Sequence, residues 1–578
     1  MNVYDFITTE ETAFKTTKVP VTNSVDWSMY EHIQRCTNVA NGWYHSGKND
    51  GLRPYKDIVT PIINVALRSE GFDVKDIIPY VNSADDYYKS FIVKKAHPQW
   101  AKKNQLDTFI DEVVYSSVVY DLVLVKNVNE ARPEVVPLQQ LAFCDQTSIM
   151  SGPICLKHQY SIPDLLNFKG KWDNDAIDNA IVMAQTDKKV SMSNDQIART
   201  PGKYIEVYEL HDTRPESEVI EGGDANKYVK QMHIVTYYTN SDNQKAGLTL
   251  FKGVVKNDIF DSLVIKPVFG RACGKSIVEE LFEPQVWTNY NEIKIKEMLD
   301  ASLILFQTDS ETYGNQKLSQ LKNNTILKHE TGKPITQVAN QAPNLVAIAN
   351  NQQNWVSDAR IIGSASEAQL GTNPVSGTPF ALQNLVVQQG QGIHEFRQGK
   401  VATFFADRLY PNMILPSLVK ELNKGKQFLE ELTLDEMQEV AEKISTCKAN
   451  DAVKEKILSG GVIEAGEVEA IKSLYKDDFK KAGNKRFFEI LKDELSEIPI
   501  EVSVNVAGKQ KNMAQNADKL TNIIREIVSN PQIFVQIPGI SKLYNELLED
   551  SGMSPVDFSE ITTGTPVQPQ APQQPMLA

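Results

Sequence analysis

Hydrophobic residues recur at three- and four-residue steps along much of this chain, and shorter alternating stretches lie between those runs. Such steps are typical of helices that bury one face, and they predict helices at about 26–43, 55–67, 76–95, 100–114, 161–168, 276–302, 352–370 and 380–409. Alternating or β-branched stretches predict strands at about 118–126, 135–137, 204–210, 233–238, 248–251, 303–307, 325–328, 335–338, 345–348 and 498–506. Together the two patterns indicate an α+β fold that is mainly helical.

The longest predicted helix, Phe380 to Leu409, follows a loop at 371–379 that is rich in glycine and proline. Glycine permits positive φ and proline breaks a helix, so this composition is typical of a loop. The helix is expected to stop near Pro411. Glycines inside it predict a bend or a close helix contact, and these are Gly390, Gly392 and Gly399.

A distinctive order of elements precedes the long helix. The predicted helix at 276–302, interrupted near Pro284, is followed by a small insert of short strands and then by the helix at 352–370. The order is therefore helix, mixed insert, helix, glycine/proline loop and long helix. No single residue carries this signal, which depends on order and lengths.

The C-terminal third is helical and highly charged, with helices predicted at about 430–444, 449–458, 465–475, 484–495, 512–529 and 539–552. The last residues carry a proline at every third position, at 566, 569, 572 and 575. Such a segment is expected to be extended and disordered.

Composition narrows the classes of protein that the pattern allows. The 578 residues include 60 basic and 74 acidic side chains, for a net charge of −14, which argues against a tight, sequence-reading DNA-binding protein. No apolar run approaches the ~18 residues that span a bilayer, and the acidic N-terminus does not resemble a secretion signal. The five cysteines are widely spaced and form no CxxC pair, so we expect reduced, mostly buried thiols in a cytosolic setting.

Candidate chemistry is sparse. Gly274-Lys275-Ser276 follows a strand-like stretch and precedes a helix, as in a phosphate-binding P-loop, but the preceding glycine, Gly270, stands one residue too late. The competing interpretation is a plain helix start with Ser276 near the N-terminus. The acidic stretch at 173–178 lacks the third ligand and the glycine of a calcium loop, and the chain has no HExxH or GxSxG motif. We therefore expect no catalytic residues, no metal and no cofactor.

The order of elements resembles that of tailed-phage portal proteins, and the likeness extends from about residue 50 to 560. The resemblance implies a portal fold with wing, stem, clip and crown regions around a central channel, from a short-tailed, crAss-like phage. Its regions would be the N-terminal wing at 1–274, stem helix 1 at 275–303, the clip at 304–350, stem helix 2 at 351–370, the tunnel loop at 371–379, the long wing helix and its return at 380–430, the wing return and crown at 431–562, and a disordered Pro/Gln tail at 563–578.

Function and partners follow from the same resemblance. Portal subunits form a ring, in this family of twelve copies, at one capsid vertex, and viral double-stranded DNA passes through it without sequence-specific binding. Expected partners are other copies of the chain, the major capsid protein, the terminase large subunit and adaptor or tail proteins, with no membrane. Assembly is expected in the host cytoplasm, and the final location is the virion.

The resemblance also suggests site residues. The channel-lining tunnel loop would comprise Gly371, Thr372, Asn373, Val375, Ser376, Gly377 and Thr378. The clip would present Tyr313, Asn315, Lys317 and Gln320 to adaptor and terminase proteins. Lys294 and Lys296 would be channel cations on the stem, and His394 is expected to face the channel or an interface.

Two other functions stay open at this point. The chain could be an NTPase that uses Gly274-Lys275-Ser276. It could also be another structural virion protein, such as an adaptor.

Overall fold

A computed structural model describes the parts of the chain from which the architecture follows. These are residues 2–22, 25–42, 55–80, 87–128, 132–186, 204–220, 222–239, 245–255, 258–301, 305–307, 336–338, 345–365, 370, 380–424, 442, 445–446, 449–450, 452–460, 466–477 and 501–504. The fold over these residues is mixed α+β and mainly helical, as the hydrophobic pattern predicts.

The helices are α1 (Val3–Thr16), α2 (Met29–Ala40), α3 (Val59–Glu70), α4 (Tyr87–Lys103), α5 (Leu106–Tyr120), α6 (Ile162–Asn167), α7 (Asn174–Thr186), α8 (Ile277–Ala301), α9 (Leu345–Ile362), α10 (Phe380–Phe404) and α11 (Leu415–Lys424). Residues 452–458 and 466–477 are also helical. None of the helices in the described ranges is long and apolar enough to cross a membrane.

The strands are β1 (Val19–Thr22), β2 (Val25–Trp27), β3 (Ile77–Tyr80), β4 (Val123–Lys126), β5 (Glu134–Val135), β6 (Leu141–Phe143), β7 (Ile154–Ser161), β8 (Tyr204–Pro215), β9 (Tyr228–Thr239), β10 (Lys245–Val254), β11 (Phe260–Leu263), β12 (Leu305–Gln307), β13 (Thr336–Val338) and β14 (Glu501–Val504). They form an antiparallel five-stranded sheet in the order β10-β9-β8-β7-β6, a three-stranded sheet β11-β4-β5, and the pairs β1–β2, β12–β13 and β14–β3.

The five-stranded sheet is covered by an apolar core on each face. Side chains of its central strands alternate between these two cores. Ile205 and Val207 of β8 pack with α6 and α7 in a small core, whereas Tyr208 and Leu210 belong to the main core. Successive side chains of a strand point to opposite faces, so one strand supplies both cores.

A buried carboxylate connects the two larger sheets. Glu209 of β8 accepts hydrogen bonds from His158 Nε2 at 2.9 Å and His211 Nε2 at 2.7 Å, and Lys126 of β4 donates to it at 2.6 Å. Burial would raise the pKa of Glu209, but the bonds from His158 and His211 and the attraction of Lys126 hold it well below its usual value. The charged carboxylate therefore stabilises the junction of the sheets.

The main core contains most of the N-terminal helical layer, in which α2, α3, α5 and α8 pack against one another. Two helices begin at a side-chain cap: Ser28 caps α2 through the Glu31 amide, and Ser161 and Asp164 form a capping box at α6. Asp173 accepts from the amides at the start of α7. The acidic stretch at 173–178 is thus a helix start.

The described cysteines behave as small buried hydrophobic residues. Four free thiols are buried, at Cys36, Cys144, Cys155 and Cys273, in agreement with the expectation of mostly buried thiols. Burial raises the pKa of Cys36 to about 12, so its sulfur stays protonated.

Three element predictions were wrong in whole or in part, and the first is the helix at 76–95, of which Ile77–Tyr80 form strand β3. Val118–Tyr120 belong to the end of α5, and the strand begins only at Val123, after Asp121 has terminated the helix with a φ of 50°. Residues 345–348 are the first turn of α9. Short β-branched runs fit a buried helix as well as a strand, and here packing decides.

The long helix also differs from its prediction, because it does not stop at Pro411. α10 continues into a π-helix, Phe405–Ile414, that contains Pro411, and then into α11. A π-helical turn lets the chain accommodate a proline that lacks an amide hydrogen. Likewise, Pro284 lies inside a continuous α8 and does not interrupt it.

Candidate functional site

The first candidate site, Gly274-Lys275-Ser276, forms the start of α8. Ser276 Oγ accepts a hydrogen bond from the Glu279 amide at 3.0 Å, which is an N-cap. The amides of Gly274 and Lys275 donate to the backbone oxygens of Asp121 and Lys266, at 3.3 and 2.9 Å. Both amides are therefore hydrogen-bonded to the protein's own backbone, whereas the amides of a P-loop bind phosphate.

The space above Gly274 is already occupied by a negative group. A Cβ added to Gly274 would lie 1.9 Å from Asp121 Oδ2. The Lys275 ammonium is exposed and lies 3.7 Å from Glu280. A phosphate at this loop would meet a carboxylate of its own sign, so the geometry favours the helix-start interpretation.

Asp121 belongs to a buried ionic group that we call the Arg397 cluster, formed by Glu70, Asp121, His394 and Arg397. Arg397 Nε donates to both oxygens of Glu70, at 2.9 and 3.0 Å, and Nη1 donates to Asp121 Oδ1 at 3.2 Å. Arg397 Nη2 donates to the Ser117 carbonyl at 2.8 Å. The four side chains of the cluster are at most 2% exposed.

The Arg397 cluster joins four parts of the fold. Glu70 ends α3, Asp121 follows α5, and the Lys266 amide donates to Asp121 Oδ2 at 2.7 Å. His394 and Arg397 come from α10, where the next residue, Gln398, donates to the Gly71 carbonyl at 2.8 Å. The C-terminal half of the long helix is thus fixed to the N-terminal helical layer.

His394 does not face a channel or an exposed interface, which corrects the prediction for this residue. It is 1% exposed, and its Nδ1 lies 3.0 Å from Glu70 Oε1. Its Nε2 is buried and has no hydrogen-bond partner in the part of the chain that the structure describes. The polar neighbours of His394 in the sequence gave no sign of this burial.

The pair α8 and α9 forms a second candidate site, because the middle of α8 buries polar side chains and exposes aromatic ones. Gln285, Thr288 and Asn289 are buried. Gln285 Oε1 accepts from the Ile58 amide at 3.0 Å, and Asn289 Oδ1 accepts from the Lys56 amide at 3.0 Å. Polar side chains of α8 thus accept hydrogen bonds from the backbone of the segment before α3.

Aromatic residues occupy the outward side of the same helix pair. Trp287 and Tyr290 are 44% and 50% exposed, and their rings meet edge to face at 5.7 Å. Trp287 also stacks on Trp355 of α9, with 6.2 Å between centroids. We call these three residues the aromatic face. Further exposed apolar side chains on the helix pair are Leu299, Val346, Ile361 and Ile362.

Lys294 and Lys296 are both on α8. The Lys294 ammonium lies 2.7 Å from Glu297 and 5.7 Å from the centre of the Tyr290 ring. Its charge is therefore balanced locally, next to the aromatic face. Lys296 is partly buried.

The predicted loop and clip residues lie outside the described residues. This applies to the tunnel-loop set from Gly371 to Thr378 and to Tyr313, Asn315, Lys317 and Gln320. Of the insert, the antiparallel pair β12–β13 is described, in which Leu305 pairs with Val338. Within the described ranges, no three His, Cys, Asp or Glu side chains come together to hold a metal ion.

Sequence reasoning missed the Arg397 cluster and the aromatic face. A single sequence does not distinguish a buried arginine on a long helix from an exposed one. The aromatic face could have been found in the sequence from helical spacing. Trp287, Tyr290 and Lys294 share one side of α8, and Gln285 and Asn289 share the other. No protein-family model matches this chain, and a comparison with curated proteins found no significant match.

Proposed function

We propose that this chain is the subunit of a homo-oligomeric portal ring, a conduit for viral DNA at one capsid vertex. The proposal rests on the order of elements: α8, the β12–β13 pair and α9 come before α10, and the sequence predicts a loop at 371–379 between α9 and α10. This order is that of stem, clip, stem, tunnel loop and wing helix in portal proteins. The proposed ring has twelve subunits and attaches terminase, adaptor and tail proteins.

The aromatic face of the α8–α9 pair supports the ring in particular. A helix of a lone subunit gains most by burying its apolar side, yet the middle of α8 buries Gln285 and Asn289 and exposes Trp287 and Tyr290. Large exposed apolar patches on soluble proteins mark contact surfaces, and aromatic residues are enriched in interface cores. A second copy of the chain, repeated around an axis, covers such a face in a closed ring.

Charge is consistent with a conduit. Affinity for DNA phosphates comes mainly from lysine and arginine, and a subunit with a net charge of −14 offers little lasting attraction. Within the proposed tunnel loop, 371–379, every residue is neutral. DNA can therefore slide past without sequence-specific contacts.

The function is tested by deleting residues 373–376, with a four-residue deletion at 240–243 between β9 and β10 as the control. We expect both variants to form particles of wild-type size, because α8, α9 and α10 supply the contacts. In infected cells that depend on the variant, the loop deletion should reduce packaged or retained genome, and the control should not. Normal yields of DNA-filled infectious particles from the loop deletion would refute the conduit.

A further inference from the structure

We propose that the Arg397 cluster is a proton-dependent anchor for α10. The cluster holds this helix on α3 and α5 when one of its two carboxylates has taken up a proton. Loss of that proton loosens the attachment. This inference concerns the described residues alone and does not depend on the ring.

The charge balance of the cluster favours an extra proton. Two carboxylates, Glu70 and Asp121, face one guanidinium, Arg397, and all three groups are at most 2% exposed. Together these three groups have a net charge of −1. A buried charge without a partner is costly, so the folded state favours uptake of one proton.

The surrounding charges do not supply the balance. Lys266 gives the cluster only its backbone amide, because its ammonium lies 2.7 Å from Glu280, and the Lys275 ammonium also approaches Glu280. On α3, Arg68 is exposed, and on α10 Glu395 and Lys400 are exposed. The proton must therefore come from solvent.

The Asp121 carboxyl can receive it. Its Oδ1 accepts a hydrogen bond from Arg397 and its Oδ2 accepts one from the Lys266 amide. Burial raises the pKa of this carboxyl to about 6, although the Lys266 amide and Arg397 oppose the shift.

The sign of the pH effect follows from linkage. The pKa of Asp121 is raised from 3.8 to about 6, so the stabilisation is complete below 3.8 and is lost as pH rises through about 6. Between pH 5.5 and 7.5 this shift predicts an increase of about fourfold in the equilibrium constant for opening of α10.

The test is amide hydrogen exchange of the wild-type chain over residues 394–404 at both pH values, corrected for the intrinsic exchange rate. Wild type should show the fourfold loss of protection. Asp121→Asn and Glu70→Gln each remove one negative charge, so either variant should show pH-independent protection. Glu209→Gln removes a buried carboxylate elsewhere, and this control should keep the wild-type pH dependence at α10.

Two results would overturn the proposal. One is wild-type protection of α10 that does not fall between the two pH values, and this result needs no variant to fold. The other is an unchanged fall in a folded Asp121→Asn or Glu70→Gln protein.

Discussion

At the scale of single residues, Gly274 shows how a familiar motif can have another cause. Its glycine is required because Asp121 Oδ2 occupies the position of a side chain, and the Lys266 carbonyl lies 2.6 Å from the same point. The sequence predicts that a glycine, a lysine and a serine begin a helix. It does not show that Asp121, distant in the chain, lies against the glycine.

Substitution of this glycine should destabilise the protein. Gly274→Ala forces a methyl group into the Asp121 carboxylate, and overpacking of this kind costs about 1–3 kcal/mol. Gly392→Ala is the matched control, because nothing lies within 4 Å of its added Cβ and alanine favours a helix by up to about 1 kcal/mol. In denaturant unfolding, Gly274→Ala should be less stable than wild type and Gly392→Ala should be more stable. Equal stabilities would contradict the assigned contact.

A second residue-scale prediction concerns Glu209. Because its folded-state pKa is held well below the usual value, its stabilisation is present at neutral pH and is lost as pH falls through that lowered pKa. Glu209→Gln should cost about 1.5–3 kcal/mol at pH 7, the range for hydrogen bonds to a charged group. The difference from wild type, measured by denaturant unfolding, should shrink in acid. A difference that grows in acid would show that the carboxylate does not act as an ion.

At the scale of elements, the sequence predicted whether a segment is a helix or a strand better than it predicted where the segment begins and ends. The alternating strands near 204–210, 233–238 and 248–251 are confirmed as parts of β8, β9 and β10. The predicted strand near 498–506 contains β14, but its partner, β3, comes from a segment interpreted as part of an amphipathic run. Pairing over such a distance depends on tertiary packing, which local periodicity does not contain.

The glycines of α10 illustrate the same limit. They predict a bend or a close helix contact, and at Gly392 and Gly399 no atom of the described residues lies within 4 Å of an added Cβ. The described residues of a single chain therefore supply no close contact at these two positions. These glycines weaken the helix, because glycine is a poor helix former.

The aromatic face supports a prediction about assembly. Changing Trp287 and Tyr290 together to serine should produce smaller particles with unchanged helix content, because α8 keeps its inward polar contacts. Tyr228→Ser on β9 is the control, since this tyrosine is 63% exposed and lies outside the helix pair. Size-exclusion chromatography with light scattering measures the effect. Wild-type particle size in the double variant would exclude this face from the contact.

At the scale of the whole molecule, composition and periodicity were sufficient to predict a mainly helical α+β fold. They could not predict that one sheet would separate two cores, or that Glu209 and Lys126 would join two sheets. Both features bring together residues that are far apart in the chain. The order of α8, β12–β13, α9 and α10 was predictable, and it is this order that motivates the portal proposal.

The central claim is that copies of this chain close into a ring, and sedimentation velocity of the purified protein at micromolar concentration tests it most directly. We expect one symmetric species with a mass of many times 64.8 kDa, seen as rings with an axial hole in negative stain. A stable monomer of 64.8 kDa at that concentration would contradict it.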